Sequence, residues 1–301
     1  MKDIYFEPEV KAASFKRKVI NMLTHWLTVL WPSASVKLSK KLLGNPYSRR
    51  HYEMRTQVKP MTQLLQTKFG SVCLHEFKTD LSDPAKNILL CHGWGDSSTR
   101  FTQLIDKLIL DGYRVWSMDQ IGHGQSDGNY ADLYRFVEGV KTVVNYLEAN
   151  GAQSAALVGH SKGALTLLNL PESLLARRKI ILISAPAHFF DNMFDAVASV
   201  GVAKIMLTNF LYRAAIEYQQ DWQSLATQRN LYKTNDNFLY IHDLNDTTCP
   251  FNELEIMLTP VKAKTFTTNN LGHIKLLKHP PLLEKVSWFA SEPLFPTSDE
   301  G

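Results

Sequence analysis

A serine between two glycines is the residue pattern in this chain best suited to nucleophilic chemistry. The sequence GHSKG, residues 159–163, directly follows the apolar run 155–158 and directly precedes the apolar run 164–168. This context predicts a strand, a sharp turn and a helix, in which the glycines leave room where side chains would collide with neighbouring elements. We therefore predict that the turn is strained and holds the hydroxyl of Ser161 clear of the sheet, as a nucleophile.

A serine hydroxyl reacts only when a base takes its proton, and that base needs a carboxylate to orient it. After a serine in such a turn, the acid and then the histidine follow at the ends of later strands. Asp246 lies in a polar loop beyond the apolar run 238–241, and His273 follows a glycine after the last predicted strand. We predict Asp246 as the acid and His273 as the base, with Asp243 and His279 as the alternatives.

The tetrahedral intermediate of acyl transfer needs hydrogen-bond donors for its oxyanion, and backbone amides can supply them. We predict that one donor is the amide of Lys162, directly after the nucleophile. The second predicted donor is the amide of Trp94, in the loop 92–96 after the predicted strand 87–91. Glycines on both sides of Trp94 let the backbone approach a substrate closely, although they also fit a plain glycine turn.

Short apolar runs alternate with longer helical patterns between residues 61 and 291. This alternation is typical of an α/β fold, with a mostly parallel central sheet and helices on both faces. The predicted strands are 71–77, 87–91, 113–118, 154–158, 179–184, 237–242 and 264–267, and the predicted helices are 99–110, 131–149, 162–170 and 281–290.

The interval 188–234 interrupts this alternation with short helical segments rich in aromatic residues and methionine. We interpret it as a helical cap inserted between the two parts of the core, 61–187 and 235–291, with a frayed tail at 292–301. The aromatic side chains of the cap either line an acyl-binding channel or pack the cap onto the core.

The first 60 residues form a basic extension, with twelve Lys or Arg against four Asp or Glu, whereas the rest has twenty-one against twenty-five. Residues 19–31 predict an amphipathic helix that contains Trp26 and Trp31 and follows the basic run 16–18. This composition is typical of a helix in a membrane interface. We expect peripheral membrane contact through residues 16–31; the alternative is a helix packed on the catalytic domain or on a second subunit.

Neither export nor a membrane-spanning segment is predicted, because the apolar run is short, interrupted by polar residues and followed by no cleavage site. The cysteines Cys73, Cys91 and Cys249 are odd in number and scattered, which indicates neither a disulfide framework nor a thiolate metal site. A reducing compartment fits this usage. We expect the protein in the cytoplasm, with contact to the inner membrane face.

Two other classes of protein fail on spacing. A dinucleotide-binding motif G-x-G-x-x-G that begins at Gly122 would need its third glycine at position 127, but the glycine is at 128. His92, His123 and His160 lack the paired helical spacing of a zinc enzyme. We expect no metal, no cofactor and no nucleic-acid partner.

The motifs HGWG at 92–95, DQIGHGQS at 119–126 and GHSKG at 159–163, followed by Asp246 and His273, together resemble the α/β-hydrolase superfamily. The resemblance covers about residues 60 to 290 and is greatest to the branch of esterases, monoacylglycerol lipases and serine peptidases. It implies the α/β-hydrolase fold, a small-molecule ester substrate and a supporting, structural role for 119–126. One departure is the lysine at position 162, where such sequences often carry an uncharged residue.

The resemblance implies a serine hydrolase that cleaves esters of small to medium acyl groups, or lipid-like esters, through an acyl-enzyme. The same triad also serves acyltransferases and thioesterases, and product analysis with competing alcohols separates these outcomes. A third alternative is a non-catalytic, membrane-tethered binding protein of the same fold.

Overall fold

The computed structural model describes residues 15–46, 53–261 and 263–294. These form two compact units, one comprising 15–45 and 188–229, the other 46–187 and 230–294. The first fourteen residues of the basic extension and most of the predicted tail lie outside the described residues. The domain boundaries drawn from the sequence stay a prediction.

The larger unit is built on one sheet, which has eight strands within the described residues. The strands are β1 (Met61–Thr67), β2 (Gly70–Phe77), β3 (Asn87–Cys91), β4 (Arg114–Asp119), β5 (Ser154–His160), β6 (Lys179–Ile183), β7 (Phe238–Asp243) and β8 (Lys264–Thr268). Their spatial order is β1-β2-β4-β3-β5-β6-β7-β8, with antiparallel pairing of β1 with β2 and of β2 with β4, and parallel pairing elsewhere. The predicted mostly parallel sheet is confirmed; β1, an exposed edge strand, was not predicted.

Helices cover both faces of this sheet. Numbered along the described residues of both units, the helices are α1 (Phe15–Leu30), α2 (Pro32–Leu43), α3 (Thr102–Leu110), α4 (Leu133–Ala149), α5 (Lys162–Leu168), α6 (Glu172–Leu175), α7 (Phe189–Ser199), α8 (Lys204–Tyr218), α9 (Phe251–Leu258), α10 (Gly272–Lys275) and α11 (Pro280–Ser291). Alternate residues of the strands enter opposite cores: Leu89 packs with α4 and α5, whereas Ile88 and Leu90 pack with α3 and α11. This period-two alternation explains why the central strands are apolar on both sides.

The smaller unit consists of α1, α2, α7 and α8 together with short turns. The segment 32–43, which the sequence analysis left outside any element, is helical as α2. Hydrogen bonds join the elements: Thr24 Oγ1 accepts the Ala203 N–H at 2.9 Å, and Asn209 Nδ2 donates to the Pro32 carbonyl at 3.0 Å. None of the helices in the described part of the chain has the length and apolar character needed to cross a bilayer.

The turn between β5 and α5 brings three backbone segments into contact. A Cβ atom added at Gly163 would lie 2.2 Å from the Cys91 carbonyl oxygen and 2.6 Å from that of His92, and one at Gly159 would lie 2.6 Å from the Gly163 oxygen. Such distances are far below van der Waals contact. The two glycines of the motif are therefore required by the close approach of β3, β5 and α5.

We expect Gly163→Ala to lower the free energy of unfolding by about 3 kcal/mol or more, because backbone atoms must move to admit the methyl group. Gly139→Ala in α4 is the matched control, since its Cβ would meet only side-chain atoms at 3.4 Å or beyond. That control should be neutral or more stable by up to about 1 kcal/mol, through helix propensity. Urea titration measures both; equal stabilities would contradict this account of the turn.

Candidate active site

Ser161 occupies the turn between β5 and α5 with φ 55° and ψ −123°. A positive φ is strained for a residue with a side chain, and the backbone is held there by hydrogen bonds on both sides. The Ser161 N–H donates to the Ile183 carbonyl at 2.8 Å, and the Ser161 carbonyl accepts the Ala164 N–H at 2.9 Å. Among the described residues no hydrogen bond involves its hydroxyl, and the side chain is partly exposed.

Asp246 and His273, the predicted acid and base, are hydrogen-bonded to each other. His273 Nδ1 lies 2.7 Å from Asp246 Oδ2, while Asp246 Oδ1 accepts the N–H groups of Thr248 and Cys249, both at 2.9 Å. Burial would raise the pKa of Asp246, but hydrogen bonds from His242 and His273 hold it well below its usual range. The carboxylate is therefore ionised, and it fixes the orientation of the His273 ring.

The alternative acid, Asp243, organises the two loops that carry this pair. Its Oδ1 accepts the Asn245 N–H at 3.0 Å, and its Oδ2 accepts the Thr268 hydroxyl at 2.7 Å and the Leu271 N–H at 3.1 Å. Asp243 thus ties the end of β7 to the loop before His273. The other rival, His279, lies at the N-terminal end of α11.

His160 links the serine turn to the histidine loop, a role that the sequence analysis did not assign. Its Nε2–H donates to the His273 carbonyl at 2.9 Å, and the two rings lie 4.8 Å apart between centroids. Burial, together with the charge of His273, lowers the pKa of His160 well below its ordinary value, so the ring is a neutral donor. His273 is thereby held beside the residue that precedes Ser161. The only sequence signal for this role of His160 was its position inside GHSKG.

The loop after β3 passes directly beside Ser161. A Cβ at Gly93 would lie 2.9 Å from Ser161 Cβ and 3.4 Å from Ser161 Oγ. His123, from the 119–126 loop, accepts the Gly95 N–H at 3.0 Å through Nε2, and burial keeps the pKa of His123 well below its ordinary value. On the other side, the Gly93 carbonyl accepts a hydrogen bond from His92 Nδ1 at 2.7 Å. The backbone is therefore held on both sides of Trp94, the second predicted oxyanion donor.

Lys162, whose direction the sequence left open, points into the protein. It is 6 % exposed, and its Nζ lies 4.2 Å from the centroid of the Trp94 ring and 4.7 Å from that of Phe136. Burial lowers the pKa of Lys162 to about 7, against the opposing charge of Asp132. Cation–π contacts thus join the first residue of α5 to the loop that carries Trp94.

One buried cluster of the described residues has the atoms of a metal site. Ligand atoms of Cys73, His75 and Asp119 all lie within 4.8 Å of one another. Asp119 Oδ1 already accepts the Ser98 N–H at 2.7 Å, and Oδ2 accepts the Gln125 N–H at 2.8 Å. These bonds tie the loop after β3 to the 119–126 loop, and they give each oxygen of the carboxylate a backbone donor.

A serine turn after the fifth strand of a sheet in this order, with acid and histidine after β7 and β8, defines an α/β hydrolase. The solved structure of an esterase from Pyrococcus furiosus has the same fold. It superposes with a TM-score of 0.58 and 17% sequence identity, over 82% of this chain and 95% of that one.

The sequence model of the family described as serine aminopeptidase, S33, matches residues 82–245, which is more than half of the chain. The chain belongs to this family of hydrolytic enzymes. The match includes Trp94, Ser161 and Lys162; it ends directly before Asp246, and His273 lies 28 residues beyond its end.

Two curated relatives share parts of the sequence. A monoacylglycerol lipase of Mycolicibacterium smegmatis is 27% identical over 144 residues, 46% of this chain and 50% of that protein. Karrikin insensitive 2 receptor B of Petunia hybrida is 25% identical over 232 residues, 66% of this chain and 83% of that protein. The chain therefore spans about half the length of the lipase.

The buried lysine gives a prediction about stability and pH. The pKa of Lys162 is about 7 in the folded chain against an ordinary 10.5, so the unfolded state binds more protons between these values. Stability should therefore rise with pH across this window. From about pH 6 to about pH 9, wild type should gain stability relative to Lys162→Met in urea titrations. The exposed control Lys86→Met should follow wild type; a Lys162→Met curve parallel to wild type would contradict the assignment.

Proposed function

We propose that this chain is a serine hydrolase that cleaves carboxylic esters through an acyl-enzyme on Ser161. The observation that carries the proposal is the 2.7 Å hydrogen bond between His273 and Asp246, on a histidine that His160 holds beside the serine turn. Membership of a family of hydrolases supports the same reaction type.

In the proposed reaction, His273 Nε2 takes the proton of the Ser161 hydroxyl while Oγ attacks the ester carbonyl carbon. Asp246 stabilises the resulting imidazolium, because its carboxylate is ionised and bound to Nδ1. When the carbon–oxygen bond to the alcohol breaks, His273 returns the proton to the departing alkoxide. Water, deprotonated by the same histidine, then attacks the acyl carbon; the bond to Ser161 Oγ breaks, His273 returns the proton to Oγ, and the acid is released.

The amides of Trp94 and Lys162 are proposed to bind the oxyanion of both tetrahedral intermediates. The close approach of Gly93 to Ser161 supports this assignment, because only a residue without a side chain lets the loop pass there. Each such donor is worth about 2.7 to 4 kcal/mol of transition-state stabilisation. The Lys162 side chain and His123 would keep the loop rigid.

The proposed substrates are small-molecule esters with small to medium acyl groups, or lipid-like esters. The relative named monoacylglycerol lipase favours lipid-like esters among these. We further propose a cytoplasmic location with peripheral contact to the inner membrane face. The three cysteines are buried and unpaired by disulfides, which is compatible with a reducing compartment.

Ser161→Ala should abolish labelling by a fluorophosphonate and lower kcat on a soluble ester by roughly 10⁴-fold or more. The matched control is Ser154→Ala at the start of the same strand, whose buried hydroxyl has no hydrogen-bond partner in the described residues. It should label and turn over like wild type. Intact-mass measurement gives the labelling stoichiometry. Persistent labelling of Ser161→Ala would exclude Ser161 as the nucleophile.

His273→Gln should lower kcat by about 10³-fold or more while the chain stays folded, because the serine loses its base. His279→Gln is the control, six residues along the chain, and should keep wild-type kcat and KM. Steady-state assays with the same soluble ester measure kcat and KM of both variants. Loss of activity in His279→Gln alone would reverse the assignment.

A binding protein of the same fold is the second candidate, and the receptor among the relatives is the observation that favours it. The two candidates differ in turnover. The hypothesis of a binding protein would be supported if the chain reacts with fluorophosphonate at Ser161 but releases no acid or alcohol from any ester of a chain-length series.

A further inference from the structure

The polarity of α1 is the reverse of that expected for a helix on the surface of a water-soluble protein. Thr28 is buried, and its hydroxyl bonds to the buried Ser35 at 2.9 Å. One turn earlier, Thr24 accepts the Ala203 N–H at 2.9 Å. The hydroxyl-bearing side of α1 therefore faces the smaller unit, where its hydrogen bonds are made.

The opposite side of α1 carries large apolar side chains that are exposed. At about 100° per residue, these side chains fall within an arc of about 120° centred near Trp26. They are Phe15, Met22, Leu23, Trp26, Val29 and Leu30, each between 47 % and 84 % exposed. Trp31, directly after the helix, is 62 % exposed. A continuous apolar stripe of this kind marks an interaction surface.

Positive charges border this stripe. On the same helical projection Lys16 and Lys18 fall on its two sides, and both are exposed. The helices α1 and α2 together contain six Lys or Arg and no Asp or Glu. An anionic surface is complementary to this charge, whereas the same face on a second copy of the chain would be repelled.

We propose that the outer face of α1, formed by Phe15, Met22, Trp26, Leu30 and Trp31 between Lys16 and Lys18, binds the surface of an anionic phospholipid bilayer. This inference rests on the proposed membrane contact and names the residues that make it. The helix lies in the plane of the interface, with its apolar side chains about 5–10 Å deep in the boundary between headgroups and acyl chains. The lysines reach outward to phosphate groups, and the tryptophans lie at headgroup level.

Seating α1 in this way leaves the threonine side with its hydrogen bonds within the protein. No hydroxyl has to enter the hydrocarbon without a partner, which would cost free energy. A lipid-like ester would then be concentrated at the surface that the protein occupies. Membrane binding thereby gives the proposed hydrolase a source of substrate, and the chemistry of Ser161 is unchanged.

The test compares vesicle binding with turnover, using the full chain. The triple variant Met22→Ser, Trp26→Ser and Leu30→Ser should bind vesicles of phosphatidylcholine and phosphatidylglycerol roughly tenfold or more weakly than wild type in co-sedimentation. The matched control is Leu81→Ser, Leu110→Ser and Ile256→Ser, three exposed apolar residues elsewhere. It should bind like wild type. Both variants should hydrolyse a soluble ester at the wild-type rate.

Charge is tested in the same assay. Lys16→Glu with Lys18→Glu should weaken binding to vesicles that contain phosphatidylglycerol, with Lys59→Glu and Lys86→Glu as exposed controls. Added salt should weaken wild-type binding.

Equal binding by wild type and the apolar triple variant would overturn the proposal, as would a concentration-dependent dimer in sedimentation velocity that the triple variant abolishes. Ser161→Ala separates the two proposals. It should lose ester turnover, which tests the proposed function, and it should bind vesicles like wild type.

Discussion

The close approach of β3, β5 and α5 at the Ser161 turn is the constraint on which the rest of the larger unit depends. A parallel strand must end, reverse its direction through a positive φ and begin a helix within van der Waals contact of β3. Only glycine fits at positions 159 and 163, and the strain at Ser161 is tolerated because α5 packs against both the sheet and α4 in one buried core. The loop at Gly93 and the ring of His160 then take their positions from this turn.

Neutral histidines act as rigid spacers around that turn. His92, His123 and His160 are buried, and burial lowers the pKa of each. A neutral imidazole has one donor and one acceptor nitrogen, so it can join two backbone segments without burying a charge. His92 accepts the Gln120 N–H and donates to the Gly93 carbonyl. These rings hold in place the loop that carries Trp94 and the loop that carries His273, the base of the proposed mechanism.

The sequence predicted the sheet because its central strands are short apolar runs with no competing interpretation. Neighbours of Ser161 were harder to assign, because a pattern names a residue without giving the direction of its side chain. Lys162 is buried between rings that no local signal connects to it. The edge strand Met61–Thr67 was missed because its exposed residues lack a continuous apolar run, and α2 was missed because its lysines and serines obscure a helical period.

The helix α1 is a further case in which the sequence pattern predicts an element but not the direction of its side chains. Apolar and polar residues at a 3.6-residue period predict two faces, and the rule that apolar faces turn inward comes from water as the only solvent. Here Thr24 and Thr28 find protein partners, and the apolar face is left outward. If a bilayer covers that face, burial of apolar surface is completed by lipid rather than by the chain itself. The helix is then an ordinary amphipathic helix, whose apolar face is buried in lipid instead of in the protein core.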